Sequence, residues 1–299
     1  MPLSHCDAFC TSGNSPTSLA VADAFCTSGT SPTVRVFGPP DAPPLLVLGG
    51  ISATSDLAWW SDIVGPRRPI DSTRYRIISA DWSLDSQVTT THQASRLLDT
   101  LDTLGVSRLH TTIGCSYGGM VALALGELAP HRVGQLVVFG ATHRPHPLAT
   151  AWRWVQRQVA DLGEGGLALA RALAMTTYRS DRELDARFAD DPEALVDWLE
   201  HHGRRFTERF TVESFTALSG AIDRHRVTPE AITAPTTVVG FDTDLLAPPW
   251  LVAELVQRLP RAHRVEITTP YGHDAFLKET AAVGRVLGHT LCARKEVAA

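Results

Sequence analysis

The chain has 299 residues, 44% of them hydrophobic and 20% charged, with a formal net charge of −5 at pH 7. That is enough apolar content to bury a sizeable core, while a slightly acidic balance with no basic block lacks the electrostatic footprint of a nucleic-acid binder. No apolar run reaches the ~18 residues of a membrane span, and the start "MPLSHCDAFC" has neither the basic residues nor the apolar stretch of a signal peptide, so a cytoplasmic protein acting on small molecules is expected.

Residues 1–32 carry a short duplication: "DAFCTSG" stands at 7–13 and again at 23–29, each copy followed by "xSPT". Two units are too few for a solenoid, and the Ser, Thr, Gly and Pro content predicts an N-terminal arm, extended or folded as a hairpin. The five cysteines, Cys6, Cys10, Cys26, Cys115 and Cys292, are odd in number and scattered, which suits a reducing compartment. Cys6 and Cys10 have no second Cys or His pair at finger spacing, so no metal is expected.

From residue 33 short β-rich runs bounded by turn residues follow one another: "TVRVFG" (33–38), "PLLVLGG" (44–50), "YRIISAD" (75–81), "LHTTIG" (109–114), "QLVVFG" (135–140), "TTVVGFD" (236–242) and "HRVEITT" (263–269). Helical stretches separate several of them, at 87–104, 117–129, 249–258 and 274–288. This alternation predicts an α/β fold with a mostly parallel sheet covered by helices, its core at 33–146 and 231–299. Residues 147–230 read instead as consecutive helices and predict an all-helical cap over the strand ends.

The stretch "GCSYG" (114–118) lies between the strand "LHTTI" and the helical "GMVALALGELA". A nucleophile elbow needs those three parts in that order, with the serine on a strained turn and glycines letting strand and helix approach; a tight turn alone would use the same residues. Ser116 is therefore the candidate nucleophile, and its partners should follow as an acid and then a histidine. Asp242 and Asp244 lie beyond a late strand, in "VVGFDTDLLAPP", and His273 lies beyond the last one, in "TTPYGHDAFLKE". Asp244 is chosen over Asp242, which sits closer to the strand and could hold the turn. Of the twelve histidines, His110, His131, His143, His225 and His289 have no comparable placement.

With "GCSYGGMVAL", "TDLLAPP" and "GHDAFL", together with "TYRS", "GRRFTERFTVESFTALSGAID" and "WWSDIVGPRRPIDSTRYRII", the chain resembles the homoserine O-acetyltransferase group of α/β-hydrolase-fold acyltransferases, from about residue 34 to about residue 288. The resemblance implies an α/β-hydrolase fold and transfer of an acyl group from acyl-CoA to the hydroxyl of L-homoserine, a step of methionine biosynthesis. Acetyl-CoA is the donor expected, with succinyl-CoA or a serine acceptor as variants, and acyl-CoA serves as co-substrate with no permanent cofactor. Ser116, His273 and Asp244 would form and discharge an acyl-serine. The oxyanion would be held by the backbone N–H of Tyr117 and by one from the loop "LGGISA", at Gly50 or Ile51.

Family members use an arginine of a "TYR" segment and the aspartate after the catalytic histidine on the amino acid's two charges, which fall here on Arg179 and Asp274. Tyr178 and Arg205 join them as pocket candidates. The cap would keep water from the acyl-serine, with Trp152, Trp154, Phe206, Phe210 and Phe215 as its packing, and relatives imply a homodimer through it. Two departures stand out: a short segment before residue 34 and a short loop after "ISADWS", which in relatives helps frame the entrance. A plain esterase would leave Arg179 and Asp274 without a purpose, and a non-catalytic binding protein is favoured only by the shortened loops.

Overall fold

The computed structural model describes residues 21–25 and 33–292. Ten strands occur among them: β1 (Val21–Phe25), β2 (Val34–Phe37), β3 (Pro44–Leu48), β4 (Val64–Gly65), β5 (Ile70–Asp71), β6 (Arg76–Ala80), β7 (Thr111–Cys115), β8 (Leu136–Phe139), β9 (Thr236–Phe241) and β10 (Ala262–Ile267). Eight form one sheet in the order β1-β2-β6-β3-β7-β8-β9-β10, and β4 pairs with β5 alone. β2 runs antiparallel to both β1 and β6, and the other pairings of the large sheet are parallel. Every strand predicted from the sequence is present. β1 falls in the arm, where it overlaps the second copy of the duplicated stretch; the first copy, Cys6, Cys10 and Cys26 lie outside the described residues.

The helices are α1 (Thr90–Thr103), α2 (Tyr117–Leu128), α3 (Pro147–Ala160), α4 (Gly166–Tyr178), α5 (Asp181–Phe188), α6 (Pro192–Thr207), α7 (Val212–Asp223), α8 (Pro249–Arg258), α9 (Ala275–Lys278) and α10 (Thr280–Cys292). None of the described helices is long and apolar enough to cross a membrane. Successive strand residues point to opposite faces, and the core divides accordingly. Leu46, Leu48, Ile78, Val138 and Val238 pack with α1, α2 and α8 on one face. Leu45, Val47, Ile77, Val137, Phe139 and Val239 pack on the other with Val283 and Leu287 of α10 and with Leu57, Trp60 and Ile63. Burial on both faces explains why these strands read as apolar runs rather than as alternating patterns.

Between β8 and β9 the chain runs through α3 to α7, and α3, α5, α6 and α7 each begin on a local signal. Pro147 and Pro192 stand at helix starts where no N–H is needed. The Asp191 carboxylate accepts from the N–H of Ala194, and Thr211 and Ser214 form a reciprocal capping box. Ala160, Leu167, Ala170, Phe206 and Phe215 make a small core of their own, with Phe210 against it. α4 crosses α6 closely: a Cβ at Gly203 would lie 2.6 Å from the carbonyl oxygen of Ala168.

Two expectations need correction. The stretch 274–288 is not one helix: a 3-10 turn at Gly272–Asp274 leads into α9, and Glu279, with φ −86° and ψ 49°, separates α9 from α10. Trp154 does not pack inside the cap but is 57% exposed on α3, because its position faces away from the small cap core.

Candidate active site

The elbow is built by β7, one strained residue and α2. Ser116 has φ 54° and ψ −118°, a region that a residue with a Cβ enters at a cost of about 1–3 kcal/mol and keeps only when its surroundings over-determine it. They do so here by hydrogen bonds from Ser116 N–H to Phe139 O (2.8 Å), Gly118 N–H to Gly49 O (2.9 Å) and Met120 N–H to Ser116 O (3.1 Å). The flanking glycines are a steric necessity. A Cβ on Gly114 would stand 2.3 Å from Gly118 O, and one on Gly118 2.5 Å from Leu48 O.

Ser116 Oγ lies 2.7 Å from His273 Nε2. His273 Nδ1 lies 2.7 Å from Asp244 Oδ2. A carboxylate only accepts, so Nδ1 carries the proton and Nε2 is left to accept from the serine hydroxyl. The remaining oxygen of Asp244 accepts from the N–H groups of Leu246 (2.8 Å) and Ala247 (3.0 Å), which satisfies a carboxylate that is almost fully buried. Burial works to lower the pKa of His273, but the adjacent Asp244 charge and hydrogen bond, with Asp274 adding to them, leave it raised above the ordinary histidine value. Asp242 does the other job: its carboxylate accepts from Thr269 N–H at 2.9 Å and ties the end of β9 to the loop after β10.

The two expected oxyanion donors come from different loops. Tyr117 is the first residue of α2, where a backbone N–H has no partner within the helix. Ile51 follows Gly50, and both line the same cavity as Ser116. The Gly50 carbonyl accepts from the Trp82 indole N–H (3.0 Å) and from Ala53 N–H (3.1 Å).

Facing the sheet, the cap closes a cavity of about 310 Å³ over Ser116 and His273. Arg179 is buried and paired, with Nε 2.9 Å from Asp274 Oδ2 and one terminal nitrogen 3.2 Å from Glu183 Oε1. The residues expected on opposite charges of an amino acid thus hold each other beside the histidine. The segment Tyr178–Ser180 rests on the Gly272 turn: Gly272 has φ +58°, a Cβ there would sit 2.7 Å from Tyr178 O, and Ser180 Oγ donates to Pro270 O. Tyr178 stands with its ring centroid 5.9 Å from that of His273. Arg205 lines the cavity from an exposed position and pairs with Glu208 at 3.5 Å.

Three further groups facing the cavity were not singled out in the sequence. Arg153 bonds Asp223 (2.7 Å), and Arg157 reaches the other oxygen of the same carboxylate (2.8 Å), so two guanidinium groups share one negative charge. Arg171 stands 5.2 Å from the ring centroids of both Tyr178 and Phe206. His202 is held neutral, its pKa pushed down to about 4 by burial and by the nearby Arg171 and Arg179. No local pattern marks them; each is one polar residue of an amphipathic helix. His225, set aside in the sequence, is a buried neutral strut. Its Nδ1 accepts from Thr90 (2.8 Å) and its Nε2–H donates to Thr142 O (3.0 Å).

The alpha/beta hydrolase fold family matches residues 43–280. The chain is 37% identical over 293 residues to the homoserine O-succinyltransferase of Xanthomonas campestris pv. campestris, covering 88% of this chain and 79% of that one. It is 35% identical to the homoserine O-acetyltransferase of Thermus thermophilus, covering 77% of this chain and 70% of that one. Among solved structures esterase E22 superposes with a TM-score of 0.78 at 18% identity, over 87% of this chain and 93% of that one, a likeness of fold.

Proposed function

The chain belongs to the homoserine O-acyltransferases of the α/β-hydrolase fold, and from that premise we propose that it transfers an acyl group from a coenzyme A thioester to the hydroxyl of L-homoserine through an ester on Ser116, working in the cytoplasm. The observation that carries this reading is the pairing of Arg179 with Asp274 next to a serine already hydrogen-bonded to its base. An amino acid brings one carboxylate and one ammonium group, and this pair offers a partner for each. A guanidinium fork suits the first and a carboxylate the second. An ester hydrolase has no use for either.

In the first half-reaction the Ser116 hydroxyl gives its proton to His273 Nε2 as Oγ attacks the thioester carbonyl. Asp244 keeps the imidazole in the required tautomer and stabilises its positive charge. The N–H groups of Tyr117 and Ile51 take the developing oxyanion. Collapse breaks the C–S bond, and the leaving thiolate takes the proton from His273. In the second half the homoserine hydroxyl gives its proton to His273 and attacks the ester carbonyl, and Ser116 recovers a proton as the C–O bond to Oγ breaks. Ping-pong kinetics follow.

Acetyl-CoA is the donor proposed. Succinyl-CoA is the second reading, favoured by the shared carboxylate of Arg153 and Arg157: a donor ending in a carboxylate would balance the surplus cation. For assembly we propose a homodimer through the cap, supported by Leu148, Val155 and Leu162, which are exposed at seven-residue intervals on and just beyond α3; sedimentation of the wild type and Leu162→Glu tests it.

The deciding experiment follows free thiol release from acetyl-CoA and from succinyl-CoA, with and without L-homoserine, in wild type and Ser116→Ala. Release that requires homoserine, prefers one thioester and vanishes in Ser116→Ala supports the transferase and identifies its donor. Release equally fast without the amino acid, or cleavage of a simple ester with no thioester turnover, overturns it in favour of an esterase.

A further inference from the structure

Trp82 follows β6 at the start of the loop that leads to α1. It is buried, and it touches both halves of the site where an oxyanion would form. Its indole N–H donates to the carbonyl oxygen of Gly50 at 3.0 Å, and the same oxygen accepts from Ala53 N–H at 3.1 Å. A peptide unit is planar and trans, so fixing the Gly50 carbonyl also fixes the N–H of Ile51 on the opposite edge of the plane. That peptide runs past the nucleophile: a Cβ built on Gly50 would lie 3.9 Å from Ser116 Cβ.

The other face of Trp82 meets Tyr117, the residue that supplies the second N–H. Their ring centroids are 4.8 Å apart at 73°, an edge-to-face contact. Gln93 of α1 locks the arrangement from behind. It accepts from Ser83 N–H (3.1 Å) and donates to Ser83 O (2.9 Å) and to the Tyr117 hydroxyl (3.4 Å). Asp81, the preceding residue, accepts from Ser55 N–H at 2.7 Å and holds the far end of the same loop.

We propose that Trp82 is the positioning residue of the oxyanion hole: its indole N–H sets the Gly50–Ile51 peptide plane while its ring sets Tyr117, so one side chain fixes the relative placement of both backbone donors. The inference rests on the reading of Ser116 as nucleophile. It also carries an electronic consequence, because a peptide whose carbonyl accepts hydrogen bonds is polarised and becomes a better donor at its N–H. Pre-set donors of this kind lower a barrier because they need no rearrangement when charge develops.

The contrary view is that Trp82 only fills space between β6 and α2. Replacement by β-(3-benzothienyl)alanine separates the two, since sulfur takes the place of the N–H in a ring of nearly the same shape; Trp82→Phe is the genetically encoded companion. With acyl-CoA and homoserine, the expected result for the analogue is a fall of about 10- to 30-fold in kcat, less than the 10²–10³ that follows complete loss of an oxyanion donor. KM for both substrates should stay within twofold, and the melting temperature should stay near wild type.

Both half-reactions should slow by similar factors, because each passes through an oxyanion at the same place. A kcat within twofold of wild type for the analogue overturns the inference, as does a loss confined to KM or matched by a fall in melting temperature. Ser116→Ala is run alongside. Turnover that survives in Ser116→Ala brings down the functional reading and this inference with it, whereas a Ser116-dependent wild type with an unimpaired Trp82 analogue brings down this inference alone.

Discussion

Ser116 and Asp244 stand at strand ends, and backbone sets their positions: the Phe139 carbonyl on Ser116 N–H, and the Leu246 and Ala247 N–H groups on Asp244, with the His273 ring held between their two side chains. Across the cavity Arg153, Arg171 and Arg179 are held by other side chains, namely Asp223, the rings of Tyr178 and Phe206, and Asp274 with Glu183. Backbone contacts cannot be exchanged without moving a strand. Side-chain pairs can be traded for a substrate's own charges at little structural cost, since an ion pair and its replacement differ mainly in partner. In the proposed reaction the sheet side would keep one geometry throughout, and the cap side would change partners when the amino acid arrives.

The sharpest way to break this division is on the sheet side. Ser116→Ala should lower kcat by about 10⁶-fold, and Asp244→Asn by about 10⁴-fold through loss of the required tautomer, with melting temperatures close to wild type. Asp242→Asn should lower the melting temperature instead, because Asp242 only ties Thr269. Equal kinetic losses for the two aspartates would void the assignment of the acid.

On the cap side, Arg179→Lys should raise KM for homoserine about 10²-fold, since an ammonium cannot reproduce a bidentate fork. The pre-steady-state burst of thiol release from acyl-CoA should persist. A lost burst would place Arg179 with the sheet-side machinery.

Asp274→Asn straddles the divide and should act through pH. As the proposed base His273 must be neutral to accept the serine proton, and its pKa is raised, against burial, by Asp244 and additionally by Asp274. The acid limb of acylation, read without homoserine, should therefore lie above the ordinary value near 6.5 in wild type. It should move to lower pH in Asp274→Asn, where one of the charges favouring the imidazolium is gone. A limb that stays in place would show that Asp274 acts on the amino acid alone. The smallest effect belongs to Trp154→Ala, whose ring is exposed: kcat, KM and melting temperature of the monomeric unit should all stay near wild type.

The same division decides what was legible in the sequence. Ser116, Asp244 and His273 could be read because strand, turn and helix signals are local and the fold forces the ends of parallel strands to one side. The choice between Asp242 and Asp244 followed from how far each lies beyond its strand, and the two carboxylates bond different partners accordingly. The contact of Arg179 with Asp274 joins residues far apart in sequence, and only the resemblance to relatives put the two in one site. Arg153 and Arg171 carried no signal, because a cavity-facing arginine and a surface arginine look alike on an amphipathic helix. The two-residue strands β4 and β5 are too short for any periodicity, and the break at Glu279 interrupts a pattern that continues on both sides of it.

One contact gains meaning from all this. The segment Tyr178–Ser180 sits on the turn that begins at Gly272, immediately before His273. In the proposed reaction, lifting the cap there would pull on His273, the base for the serine, so a movement that let water in would also disarm the base. The device resembles the interlock on a machine guard, in which opening the cover cuts the current. An energy-rich thioester in such an enzyme is protected from waste by mechanics as well as by exclusion of solvent.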